Sequence, residues 1–143
     1  MRILLSIFSL LLSSISWSED LLIDNNGKRT IVTEHFYTDK SSFRAFKIEG
    51  SFTDNLGNYG NWDAFVTTYL TEGKVTKLDF SNKFTFQNNS KFYLQGFRKE
   101  GTDEEAGVGK AIIVHPDRNL KSLKNSNCVY SVKFLEDTFF GKT

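Results

Sequence analysis

Past residue 18, apolar residues alternate with polar ones instead of recurring at helical spacing, and this period of two constrains the fold more than any other feature. The alternation is written largely in aromatic and β-branched residues, which suit a pleated, half-buried surface. Residues 30–38 (TIVTEHFYT) open the series. Phe46, Ile48, Gly50 and Phe52 then alternate with Lys47, Glu49 and Ser51, which gives one clean inward face. Further strands are predicted at 62–71, 75–80, 83–87, 91–98, 107–114 and 128–135. Glu72-Gly73-Lys74 reads as a tight hairpin connection, and Asn88-Asn89-Ser90 as a second turn. Only 118–124 tolerates a helical turn, and 19–29 reads as a strand plus turn or a loose arm.

About eight short strands joined by tight turns predict an all-β protein: a single antiparallel β-barrel, or a sandwich. Several strands carry bulky residues on both faces, as with Phe92 and Leu94 against Tyr93 and Phe97. A closed barrel accounts for this better than an open sheet, because closure also removes edges that invite aggregation. No repeat and no second domain stands out.

The N-terminus reads as a cleaved signal peptide over residues 1–18. Arg2 supplies the positive start, residues 3–12 (ILLSIFSLLL) an apolar stretch, and Ser16 and Ser18 the small residues before a cut. An apolar run of about 10 residues falls short of the roughly 20 that a helix needs to span a bilayer. The mature domain is therefore expected at 19–143, without a membrane span and exported. The scarcity of Pro, the abundance of Lys and Asn and the lack of disulfides point to a bacterial periplasm or the exterior. Cys128 is the only cysteine, so no intramolecular disulfide can form and the core must carry stability alone. Fourteen Phe and five Tyr fit that demand, because aromatic side chains bury large areas.

Lys and Arg number 18 against 17 Asp and Glu, and loss of Arg2 leaves a mature chain of zero formal charge. These charges are scattered, which argues against nucleic acid and against docking on anionic lipid. The candidate ligand-binding residues are Asp54, Asn55, Asn58, Tyr59 and Trp62, which lie in the oxygen-rich, glycine-flexed stretch SFTDNLGNYGNWD. Oxygen donors on such a loop suit a hard cation, but their spacing matches no EF-hand and the residue types equally suit a plain turn. No metal site is assigned. Gly107-Val108-Gly109-Lys110 lacks the earlier glycine and following hydroxyl of a phosphate loop; its glycines read as places of close backbone approach. His35 and His115 lack a nucleophile partner at recognisable spacing, so no catalytic residue is assigned. Cys128 shares a face with Tyr130, Val132 and Phe134 and reads as an inert core thiol. Asp103-Glu104-Glu105 reads as a solvated acidic loop.

Residues 52–60 (FTDNLGNYG), 106–110 (AGVGK) and 128–130 (CVY) resemble uncharacterised exported bacterial proteins that form small β-barrels. The layout of strands also resembles barrels of the allene-oxide-cyclase and dirigent kind. This resemblance implies a barrel fold and transfers no functional residue. The functional expectation is a non-catalytic binder of a small apolar or aromatic ligand, without cofactor. A protein-interaction module of the cell envelope comes next, and a barrel isomerase or cyclase last.

Overall fold

The computed structural model describes residues 20–98 and 100–143; the expected signal peptide lies outside them. Among these residues, eight antiparallel strands close into a barrel in the order β1-β2-β3-β4-β5-β6-β7-β8, each paired with its neighbours in sequence. They are β1 (Ile23–Thr38), β2 (Ser41–Asp54), β3 (Tyr59–Thr71), β4 (Lys74–Phe86), β5 (Lys91–Arg98), β6 (Ala106–Val114), β7 (Asn127–Leu135) and β8 (Thr138–Lys142). A short 3₁₀ helix, Arg118–Leu123, lies between β6 and β7. Glu72 and Gly73 both take positive φ (52° and 75°), as a two-residue hairpin between twisted strands requires.

The count of eight agrees with the sequence reading, but two strands differ from it. Residues 75–80 and 83–87 belong to one continuous strand, β4, whose ladder with β3 runs through Ser81 and Asn82. The last strand, β8, is missing from the sequence reading. It is only five residues long, and Phe139 and Phe140 put aromatic rings on both faces, so the alternation fails there. The stretch 23–29 is not a loose arm: it belongs to β1, which pairs with β2 on one side and β8 on the other.

Inward-facing side chains sort into two ends. Toward the end capped by the 3₁₀ helix, Phe52, Trp62, Phe84, Phe86, Phe92 and Phe139 fill the barrel. Phe84 and Phe92 stack with ring centroids 4.8 Å apart, while Phe52 meets Phe84 and Phe86 edge-on, each at 5.2 Å. Leu120 and Leu123 of the 3₁₀ helix pack against this plug. Eight strands enclose only enough room for such side chains, and glycine makes the space where two would collide. A Cβ on Gly109 would come 2.4 Å from the Tyr130 ring, and one on Gly96 would come 2.5 Å from Phe80. Glycines at 107 and 109 thus serve close approach, as the sequence reading holds. Each strand also carries charge outward, including Asp24, Lys47, Asp63, Lys83, Lys91, Lys110, Lys133 and Lys142. No helix among the described residues is long and apolar enough to cross a membrane.

Candidate functional site

Three features of the barrel are candidates for function: its interior, its charged end and the open edge of β1. The interior leaves a cavity of about 40 Å³. Apolar side chains such as Ile48, Trp62, Leu94 and Phe139 line it, together with Asn25, Asn82, Arg98 and Tyr130. The Oδ1 atoms of Asn25 and Asn82 and the Nε of Arg98 are buried and make no hydrogen bond among the described residues. A space of this size holds about three water molecules, and a drug-sized ligand requires about 300 Å³ or more.

The opposite end is charged. Arg44 on β2 faces Glu34 on β1, and Glu34 Oε1 accepts from Arg44 Nε at 2.9 Å and from Nη2 at 2.5 Å. The β5–β6 loop brings Glu104 onto the remaining Arg44 nitrogen, Nη1. Glu104 is only 6% exposed, which corrects the reading of residues 103–105 as a uniformly solvated loop. The loop curls under the barrel because Arg98 is buried beneath it and donates from Nη1 to the carbonyls of Asp103 (2.7 Å) and Glu104 (2.8 Å). Arg29 completes the cluster: it pairs with Glu105 at 2.9 Å, and its guanidinium lies 4.5 Å from the centroid of Phe134.

Electrostatics follow from burial. Desolvation pushes the Glu104 carboxyl above the usual carboxylate range; Arg44 opposes this, Glu105 adds to it, and Arg29 and Arg98 oppose it more weakly. Burial alone would lower the Arg44 pKa. The hydrogen bond to Glu34 and the fields of Glu104, Glu34 and Glu105 outweigh it and raise that pKa above the ordinary value. Desolvation also raises the Tyr130 hydroxyl against the pull of Arg98; this hydroxyl donates to the Phe97 carbonyl at 3.2 Å. Alternation placed none of these charges in the interior, because the sign of a residue says nothing about which face of a strand it occupies.

The five candidate residues do not converge on one aperture. Asp54 spends both oxygens on its own turn: Oδ1 accepts from the amides of Leu56 and Asn58, and Oδ2 from the Asn58 side chain at 2.9 Å. Asn55 ties down the N-terminal segment, accepting from the Leu22 amide and donating to the Asp20 carbonyl. Tyr59 stands exposed at the rim. Trp62 is buried, lines the cavity, and donates from Nε1 to the Asn26 carbonyl at 2.9 Å. No group of three or more His, Cys, Asp or Glu side chains among the described residues is placed to hold a metal ion.

The third feature is an edge. β8 reaches only Lys28 of β1 in the strand ladder, with one further hydrogen bond from the Arg29 amide to the Asp137 carbonyl. Among the described residues, 30–38 of β1 are paired with β2 alone. Val32 (53% exposed), Phe36 (76%) and Tyr37 (61%) stand along it. Sequence reasoning found this segment but expected closure to cover it. The signal that could have exposed it is length: 16 residues in β1 against five in β8 leave most of β1 unmatched on that side.

Fold and interior together define the class: a closed eight-stranded up-and-down barrel, filled by its own aromatic rings at one end and by an ion-pair cluster at the other. No family model, no curated protein and no solved structure matches the chain.

Proposed function

We propose that this protein is a non-catalytic binding module that engages an extended protein segment along the open edge of β1. The observation that carries this reading is the run 30–38, which among the described residues has a strand partner on one side only. Unpaired amides and carbonyls on a strand edge recruit another strand, and side chains beside them select which. Thr30, Ile31, Val32 and Thr33 are β-branched and Phe36 and Tyr37 aromatic, residue types that strengthen cross-strand pairs. The filled interior supports the same reading, because it leaves the outer surface as the place to meet a partner of any size.

The test is an amide titration by NMR with two synthetic nine-residue peptides, one carrying residues 30–38 and one an unrelated Thr-Val alternation. Shifts confined to β1 residues 30–38 and the facing part of β2 are expected. If neither peptide moves these amides at millimolar concentration, the edge is not a binding site.

A second reading, an interior ligand, draws on the unpartnered polar atoms of Asn25, Asn82 and Arg98. The volume limits such a ligand to a few atoms unless the core opens. Its mark would be a rise in melting temperature with small polar solutes, by the linkage of binding to folding.

A further inference from the structure

We infer that the barrel interior binds a small monovalent anion of the carboxylate type, held by Arg98 together with Asn25 and Asn82. This rests on the interior-ligand reading above and goes further by naming the charge and chemistry of the ligand. The first ground is a buried cation without a counter-ion. Arg98 is 6% exposed and lines the cavity. Its Nη1 is taken by the carbonyls of Asp103 and Glu104. Among the described residues its Nε makes no hydrogen bond, and no carboxylate forms an ion pair with it. The other guanidiniums at this end are matched, Arg29 by Glu105 and Arg44 by Glu34 and Glu104. Arg98 is the weakest of the charges named as acting on the Glu104 carboxyl, and burial favours the protonated form of that group. Glu104 therefore does little to neutralise Arg98. A buried charge is stable when it is paired, so this wall of the cavity favours a negative group.

The second ground is the size and polarity of the space. A cavity of about 40 Å³ takes roughly three atoms the size of water, whereas a halide would fill one of those places. Asn25 on β1 and Asn82 on β4 line it as well, and their Oδ1 atoms are buried and make no hydrogen bond among the described residues. An amide can turn its Nδ2 donors to where Oδ1 stands, so both side chains can donate to an anion. Donors on β1, β4 and β5 suit a planar group whose oxygens are spread apart, and guanidinium with carboxylate is among the strongest of such pairs. Two free amides alone would suit a neutral amide equally; the unpaired cation decides for an anion. Ile48 and Leu94 are part of an apolar lining that strengthens any charged hydrogen bond inside. Glycines keep the polar groups in place. A Cβ on Gly141 would come 2.6 Å from Asn25 Oδ1, and one on Gly107 would come 3.1 Å from the Arg98 side chain.

The experiment follows the Arg98 Nε–H resonance of ¹⁵N-labelled protein by NMR during titration with sodium formate, with formamide as its neutral isostere and sodium chloride as the control for ionic strength. A ligand of three non-hydrogen atoms reaches about millimolar affinity at best, so the range is about 1 to 200 mM. A saturable shift with formate is expected, with formamide weaker by about tenfold or more and chloride without a saturable effect. Arg98→Met also removes the bonds to the β5–β6 loop, so Asn82→Leu is the cleaner variant. It leaves that loop untouched, and it should keep the fold by circular dichroism while weakening formate by about tenfold. A formate shift no larger than that from chloride, or one that Asn82→Leu leaves unchanged, overturns the anion site. If formamide binds as tightly as formate, the anion falls and the interior-ligand reading stands. If neither formate nor formamide moves the Arg98 resonance, both fall.

Discussion

Replacing Phe84 with alanine tests whether the barrel interior is a close-packed plug. Phe84 is fully buried on the central face of β4, with Phe92 at 4.8 Å, Phe52 at 5.2 Å and Trp62 at 6.0 Å between ring centroids. Phe-to-Ala changes in cores cost about 3–5 kcal/mol, and the amount depends on how far neighbours can collapse into the void. Here they can collapse little. β4 is laddered on both sides, Phe84 lying opposite Trp62 on β3 and Phe92 on β5, so the wall of the closed barrel cannot move inward. The expected loss is therefore at the upper end, about 4–5 kcal/mol. A domain of about 125 residues has a total stability of about 6–19 kcal/mol, so the variant should fold but melt about 15–20 °C lower. Urea unfolding followed by Trp62 fluorescence measures this directly, and an unchanged m-value confirms that the unfolding reaction is the same. Benzene should recover part of the loss, because a dry apolar void binds it. A loss below about 1 kcal/mol would refute the reasoning, since it would mean that Phe84 occupies no tightly packed site.

Three further outcomes follow from the same structure. Gly109→Ala drives a methyl into the Tyr130 ring and should cost about 1–3 kcal/mol in urea unfolding; pairing it with Tyr130→Leu should return part of that and reveal the coupling. Glu104 has a folded pKa raised by burial, so it favours the folded state fully below the ordinary carboxylate range and loses that contribution as pH climbs through its folded pKa. Glu104→Gln should flatten this part of the profile of unfolding free energy against pH, which in the parent falls by at most about 1.4 kcal/mol per pH unit; identical urea-unfolding profiles for parent and variant would exclude the assignment. The Cys128 thiol is half-buried, its pKa is raised by desolvation, and its Sγ lies 3.8 Å from the Ser126 carbonyl. A thiol reagent should label it slowly in the native protein and fast in denaturant, and rapid native labelling would show it to be reactive.

Much of the fold was legible because strand alternation is local. The inward set Phe46, Ile48 and Phe52 follows from the period of two, and the Glu72-Gly73 turn follows from residue chemistry. Residues 81–83 broke the pattern only in appearance. Asn82 faces inward at the cavity, so a polar residue stands where alternation demands an apolar one. The loop 54–58 was legible as a turn, since Asp54 and Asn58 bond within it. Its neighbours divided by environment, Trp62 into the core and Tyr59 to the rim, a division that depends on which way each strand faces.

The sequence by itself determined that the chain makes antiparallel strands, that their apolar faces demand a shared interior and that no disulfide supports it. Only the tertiary structure decided how full that interior is, which charges enter it and where an edge stays open. The reason is distance along the chain. Arg44 and Glu104 are 60 residues apart and meet because Arg98 draws the β5–β6 loop under the barrel. The open run at 30–38 exists because β1 outlasts β8 across a seam that joins the two ends of the chain. Period and propensity describe one strand at a time, whereas burial of charge and exposure of an edge belong to pairs of strands that only closure brings together.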